Sequence, residues 1–162
     1  IWGATEKVLA ARKDVIEFLL TSHPLDCPVC DKGGECPLQN QTMEFGAGKS
    51  RFIFDEKSHN EKHVPLGELI YLDRERCILC DRCIRGCDEI KGNNVLGRRG
   101  KGFQAGIAFD LNEPMGNSSC VSCGECMVSC PTGALNPPPH LGLLDCRPFI
   151  AESSTTRTLI IN

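Results

Sequence analysis

The sequence predicts an α+β, loop-rich fold: one amphipathic helix at its start, short strands later, and little room for a large apolar core. Three observations carry this. Aromatic residues make up only 6% of the 162 residues, with one Trp and one Tyr, against 16 Gly and 10 Pro. Twelve Cys are present, dense enough that covalent or metal cross-links must help to order the backbone. Those cysteines also fall into blocks separated by short patterned segments, on a chain long enough for one ordinary domain or two very small ones.

Residues 5–22 carry helical periodicity, with Val8, Ala11, Val15 and Leu19 on one stripe and Leu9, Ile16 and Leu20 beside it. Pro24 ends the pattern, since the residue before a proline avoids helical geometry. His23 therefore leaves the helix as the first cysteine block, 23–45, begins. A polar stretch, 46–66, follows. Leu69 to Leu72 predict a short strand into a second block, 77–90. The apolar runs around Val95–Leu96 and Ile107–Phe109, split by Arg98-Arg99-Gly100-Lys101-Gly102, predict a hairpin. A third block spans 120–135, and Pro137-Pro138-Pro139 stiffens the way into a tail without recognisable chemistry. The expected division is 1–66 for the helix and first block, 67–136 for the paired blocks, and 137–162 for a tail or linker.

Composition excludes some functions. A net charge of −3 with intermixed signs gives no basic surface for nucleic acid. Charges run through the first fifteen residues, unlike the apolar run of a secretory signal, and nothing approaches the roughly 20 apolar residues of a membrane span. A cytoplasmic location is expected, where thiols serve metals rather than disulfides. The start at Ile1 rather than Met reads as a processed chain or a piece of a longer one.

The cysteine spacing defines the chemistry. Cys77-x2-Cys80-x2-Cys83-x3-Cys87 recurs 43 residues later as Cys120-x2-Cys123-x2-Cys126-x3-Cys130, followed by Pro131; Asp88 holds the matching place in the first copy. Three cysteines at this spacing wrap three corners of a [4Fe–4S] cube, and the fourth cysteine of the run serves the other cube. Crossing the fourth ligands assigns Cys77, Cys80, Cys83 and Cys130 to one cluster, and Cys120, Cys123, Cys126 and Cys87 to the other. Paired C-x2-C motifs also build zinc ribbons, but zinc has no use for the third cysteine of each triplet.

Ahead of these stands His23-x3-Cys27-x2-Cys30-x5-Cys36. A third cube needs one ligand beyond its three cysteines, and His23 and Cys146 compete for the place. His23 is favoured, lying four residues before Cys27 on a loop stiffened by Pro24, whereas Cys146 has no partner motif. Gly33-Gly34 lets the chain turn back so that Cys36 closes the site. An imidazole in place of a thiolate removes negative charge and makes a cluster easier to reduce. Arg74, Arg76, Arg82 and Arg85 either offset the negative charge of thiolate-bound clusters or form a solvated face. Gly46 to Ser50 lacks the leading Gly of a phosphate loop. His59, His63 and His140 are expected at the surface, and Cys146 as a spare thiol.

The segment HPLDCPVCDKGGECPLQ resembles the His-ligated cluster motif in the large iron–sulfur subunit of NADH–quinone oxidoreductase (respiratory complex I). It is also similar to segments of NAD-dependent formate dehydrogenases and [FeFe]-hydrogenases. FGAGKSRF, Arg74-Glu75-Arg76-Cys77-Ile78-Leu79-Cys80 and Cys130-Pro131-Thr132-Gly133-Ala134-Leu135 extend the likeness over roughly 8–136. The resemblance supports ligation by His23, Cys27, Cys30 and Cys36, and by Cys77, Cys80, Cys83 and Cys130. Typical complex I subunits lack the other four cysteines of the pair; Cys87, Cys120, Cys123 and Cys126 resemble the formate dehydrogenase and hydrogenase versions. It implies a His-ligated [4Fe–4S] domain followed by a two-cluster ferredoxin-like domain, relaying single electrons through three [4Fe–4S] clusters. The implied partners are a flavin/NADH unit and a downstream electron acceptor within a multi-subunit oxidoreductase, peripheral to the inner membrane through partner subunits. No nucleophile–base pair or open metal position marks a catalytic site within the chain.

Overall fold

The computed structural model describes residues 2–46, 48–62, 64–66 and 69–137, so the expectations for His63, His140, Cys146 and the tail after Pro137 lie outside it.

Helix α1 runs Glu6–Leu20, begun by Thr5, whose backbone is extended and whose Oγ1 accepts from the Val8 amide at 3.4 Å. Its buried line differs from the expected stripe. Ile16 is the residue that goes fully inside, while Ala11 and Val15 stay exposed, Val15 at 59%. The reason is what covers the helix. α1 packs on the short helix α2 (Pro37–Phe45), with Arg12 5.0 Å from the centre of the Phe45 ring. Sequence reading left α2 inside the first cysteine block. Pro37 at its first position and Gly46 directly after its end were the available signals.

β1 (Val64–Pro65) and β2 (Tyr71–Leu72) precede the second block. The predicted hairpin forms as β3 (Leu96–Arg99) and β4 (Gly106–Phe109), with Leu96 opposite Phe109 and Arg99 opposite Gly106. β5 (Leu135–Asn136) follows the third block and pairs with β2, giving an antiparallel sheet in the order β1-β2-β5. β1 and β5 escaped sequence reading because two-residue strands carry no periodicity.

The repeated blocks fold alike. Each opens on a loop through its first two cysteines and continues into a short helix bearing the third: α3 (Arg82–Arg85) and α4 (Glu125–Ser129). α3 widens at Gly86–Ile90 into a π-turn, a device common beside functional sites. Gly86 and Ser129 occupy equivalent places in the repeat, and the helices meet there. A Cβ on Gly86 would stand 2.6 Å from Ser129 Oγ, so only glycine permits this approach. The local two-fold of the duplication thus passes between them, and the residue after each, Cys87 or Cys130, is carried toward the opposite half.

The core is small. Leu66, Ile70, Leu72, Val95, Leu96, Ile107, Phe109, Met115, Ala134 and Leu135 pack around Cys83, Cys87, Cys126 and Cys130. The cysteines themselves are core residues, as the low aromatic content requires.

Candidate metal centre

The eleven described cysteines are unbridged thiols. Their grouping follows from the backbone. In the second block Leu79 and Asp81, either side of Cys80, take positive φ of 53° and 60°; in the third, Ser122 and Gly124, either side of Cys123, take 55° and 75°. Such alternation curls the chain into a concavity with amides turned inward. The Leu79 amide donates to Cys77, and the Ser122 amide to Cys120 at 3.4 Å. For three non-glycine residues this backbone costs of order 1–3 kcal/mol each, so surrounding contacts must hold it. From the hairpin, Arg98 pins the second block by donating to Asp81 Oδ1 at 2.7 Å and to the Leu79 carbonyl at 2.6 Å.

One cleft is lined by Cys77, Cys80, Cys83 and Cys130 together, walled by Leu72, Ile107, Ala134 and Leu135. Burial pushes the Cys83 thiol up to about 12, reinforced by Cys77, Cys130 and Cys80. Cys77 is raised for the same two reasons. In the other set, burial pushes Cys126 up to about 11, and the nearby Cys120, Cys123 and Cys87 add to the rise. The fourth cysteine of each block therefore stands with the triplet of the other block. Asn93, which the sequence did not single out, reaches Cys123 Sγ through Nδ2 at 3.7 Å.

The first block forms a tight loop. Cys27–Val29 make one 3-10 turn, and the Gly33 amide returns to the Cys30 carbonyl at 2.8 Å. A Cβ on Gly33 would lie 2.7 Å from the Cys27 carbonyl oxygen, and Gly34 takes φ +89°. These two glycines turn the chain so that Cys36 ends buried at the start of α2. Cys36 Sγ lies 3.4 Å from the Pro131 carbonyl, and a Cβ on Gly133 would collide with Cys30 Sγ. The first block thus rests on the segment directly after Cys130.

Arg76 fastens this contact. It is 5% exposed and bonds Asp26 Oδ2 through Nε and Nη2, both at 3.1 Å. Its Nε also lies 3.1 Å from Asp73 Oδ2, an ion-pair contact without hydrogen-bond geometry. Buried Thr132 donates to the Arg76 carbonyl at 2.8 Å. The expected arginine cluster is therefore not one surface. Arg76 is an internal clasp, whereas Arg85 lies outside and pairs with Glu89 at 2.8 Å.

His23 follows α1 as expected. Its Nδ1 is buried and meets no partner among the described residues. Burial, then the charge of Arg76, lowers its pKa, so the imidazole is neutral at physiological pH, the form that can ligate a metal. Arg76 also senses Cys30 and so stands near both. His59 lies at the surface, 3.1 Å from Glu75. Soft thiols in two sets of four, three more in the loop of the first block, and a buried, unpartnered imidazole at His23 are donors suited to iron–sulfur chemistry.

Comparison with known proteins agrees. Residues 12–51 match the family described as the NADH-ubiquinone oxidoreductase-G iron-sulfur binding region, and residues 67–136 match the ferredoxin-like domain of NADH-quinone oxidoreductase subunit 3. This chain belongs to that iron–sulfur family. Family relatives include a G-type NADH-quinone oxidoreductase subunit of Rhizobium meliloti (strain 1021), 39% identical over 93% of this chain and 17% of the relative. The NADH-ubiquinone oxidoreductase 75 kDa subunit of Acanthamoeba castellanii is 42% identical over 86% and 20%. The NADP-reducing hydrogenase subunit HndD of Solidesulfovibrio fructosivorans is 40% identical over 80% and 22%. The chain thus spans about a fifth of the length of these relatives. The crystal structure of an NAD+-reducing [NiFe]-hydrogenase in the H2-reduced state shares the fold, with TM-score 0.71 over 85% of this chain and 58% of that one, at 23% identity. Among the described residues, no helix is long and apolar enough to cross a membrane.

Proposed function

We propose that the chain relays single electrons through three [4Fe–4S] clusters within a complex I-like or NAD-linked oxidoreductase assembly. The supporting observation is the crossed grouping of Cys77, Cys80, Cys83 with Cys130 and of Cys120, Cys123, Cys126 with Cys87. A crossed pair is what two facing cubes demand and what a local zinc ribbon does not. His23, Cys27, Cys30 and Cys36 hold the third cluster in this proposal, supported by the orphaned buried nitrogen of His23.

The clusters supply one-electron chemistry, and the chain supplies the rest. The inward-turned amides steady the sulfurs, the apolar walls keep water away, and Arg76 and Thr132 hold the first block against the Cys130 segment, fixing the spacing between sites. The units are 1–66, 67–136 and a tail, 137–162, with β1 contributed from the first to the sheet of the second. A flavin/NADH unit and a downstream acceptor are the proposed partners, in the cytoplasm and peripheral to the inner membrane through other subunits. A second reading, the iron–sulfur part of a hydrogenase or formate dehydrogenase catalytic subunit, is favoured by the four cysteines Cys87, Cys120, Cys123 and Cys126 and by the likeness to HndD.

Anaerobically purified protein should be brown and hold about 12 Fe per chain, three cubes' worth. A value near 8 would remove the third cluster. A colourless protein containing zinc would instead make the chain an interaction module.

A further inference from the structure

The geometry points to an oxyanion-binding site, for a small molecule carrying a phosphate or carboxylate group, at Arg74 and Arg99 in the cavity between the end of α1 and the β3–β4 hairpin. The two guanidinium groups crowd against one glycine. A Cβ on Gly106 would lie 3.1 Å from Arg99 Nε and 3.4 Å from Arg74 Nη1. Neither arginine has a carboxylate within ion-pair distance among the described residues, although Asp26, Asp73, Asp81, Glu17, Glu75 and Glu89 each hold one cation or more. Arg99 Nε is buried without any hydrogen-bond partner among the described residues.

Two half-buried like charges without a carboxylate partner are costly unless something negative completes them. Paired guanidinium forks match the planar spread of phosphate or carboxylate oxygens. The cavity measures about 620 Å³ and is lined by His23 and Cys77 as well; its Arg74–Arg99 end is the part open to a small molecule, and the whole lies inside the roughly 300–1,000 Å³ of such sites. Phe18, Phe52 and Phe103 offer apolar surface, and Ser58, Asn60 and Gln104 offer hydrogen bonds. Two acids share the wall, but both are engaged. Glu75 pairs with Lys62 and His59, and Glu56 accepts from the Ile53 amide at 3.1 Å.

The test uses the iron-loaded chain, titrated calorimetrically with inorganic pyrophosphate and separately with malonate, at ionic strength held constant with chloride. Saturable one-site binding of at least one is expected, and the better binder separates the phosphate from the dicarboxylate source. Arg74→Gln and Arg99→Gln should each weaken it at least tenfold, while Arg82→Gln, on the exposed face, should leave it unchanged. Without anion, both variants should melt no lower than the parent, since each removes a like-charge repulsion. Failure of both anions to bind, equal binding by parent and Arg99→Gln, or a lowered melting point in both variants would overturn the site. So would an Arg99→Gln protein that binds no less anion but shows a lower potential at the Cys77 cluster, because the pair would then serve that cluster's charge.

Discussion

Arg76 carries its charge into a place almost closed to water, and Asp26 and Asp73 make that tolerable. Removing it by Arg76→Ala would strand the 3% exposed carboxylate of Asp73 and should cost about 3–5 kcal/mol, read by urea denaturation. A cost below about 1 kcal/mol would mean that the clasp is idle. His23 is the residue on which the third site turns. His23→Cys should keep the cluster and shift its potential downward by something on the order of 100 mV, followed by EPR-monitored titration, because a thiolate adds negative charge. An unmoved potential would remove His23 from the ligand set.

At the scale of elements, the duplication is made physical by one close approach, Gly86 against Ser129, where α3 and α4 touch. Gly86→Val would push these helices apart and should destabilise the chain by about 1–3 kcal/mol, as overpacking does. It should also disturb both crossed sets at once, since Cys87 and Cys130 are the next residues. EPR of the variant is expected to show both ferredoxin-type signals altered and the His23 site less so. Loss of only one of the two would contradict a shared axis. The hairpin has a comparable duty, because Arg98 on β3 holds the strained turn of the second block.

For the molecule as a whole, thiols make up much of the interior, so stability depends on what they bind. Chelating the iron should unfold much of 23–135, because metal-binding energy in such sites is folding energy; circular dichroism unchanged after chelation would refute this. Whatever fold the metal-free chain retains should be alkali-sensitive. Cys83 and Cys126 are raised from the ordinary 9.0 to about 12 and about 11. The folded chain holds these protons more tightly than the unfolded one, so their contribution is complete below pH 9 and is lost as pH climbs through those values. Urea midpoints of metal-free protein should therefore fall between neutral pH and pH 10. A rise would reverse the sign and refute it.

Sequence alone determined the repeat, the helix after Thr5 and the hairpin across Arg98–Gly102, because each rests on spacing or on periodicity, which short-range geometry dictates. It did not determine which side of α1 is buried, since Val15 and Ile16 are equally apolar and only the position of α2 chooses between them. Nor did it separate Arg76 from Arg85, alike in charge and nine positions apart; Asp26, fifty residues before Arg76, makes the difference. The joining of Cys30 and Cys36 to the Cys130 segment, the strands β1 and β5 and the Arg74–Arg99 cavity are likewise products of tertiary structure. They depend on contacts between segments far apart in the chain, and local patterning does not encode where such segments meet.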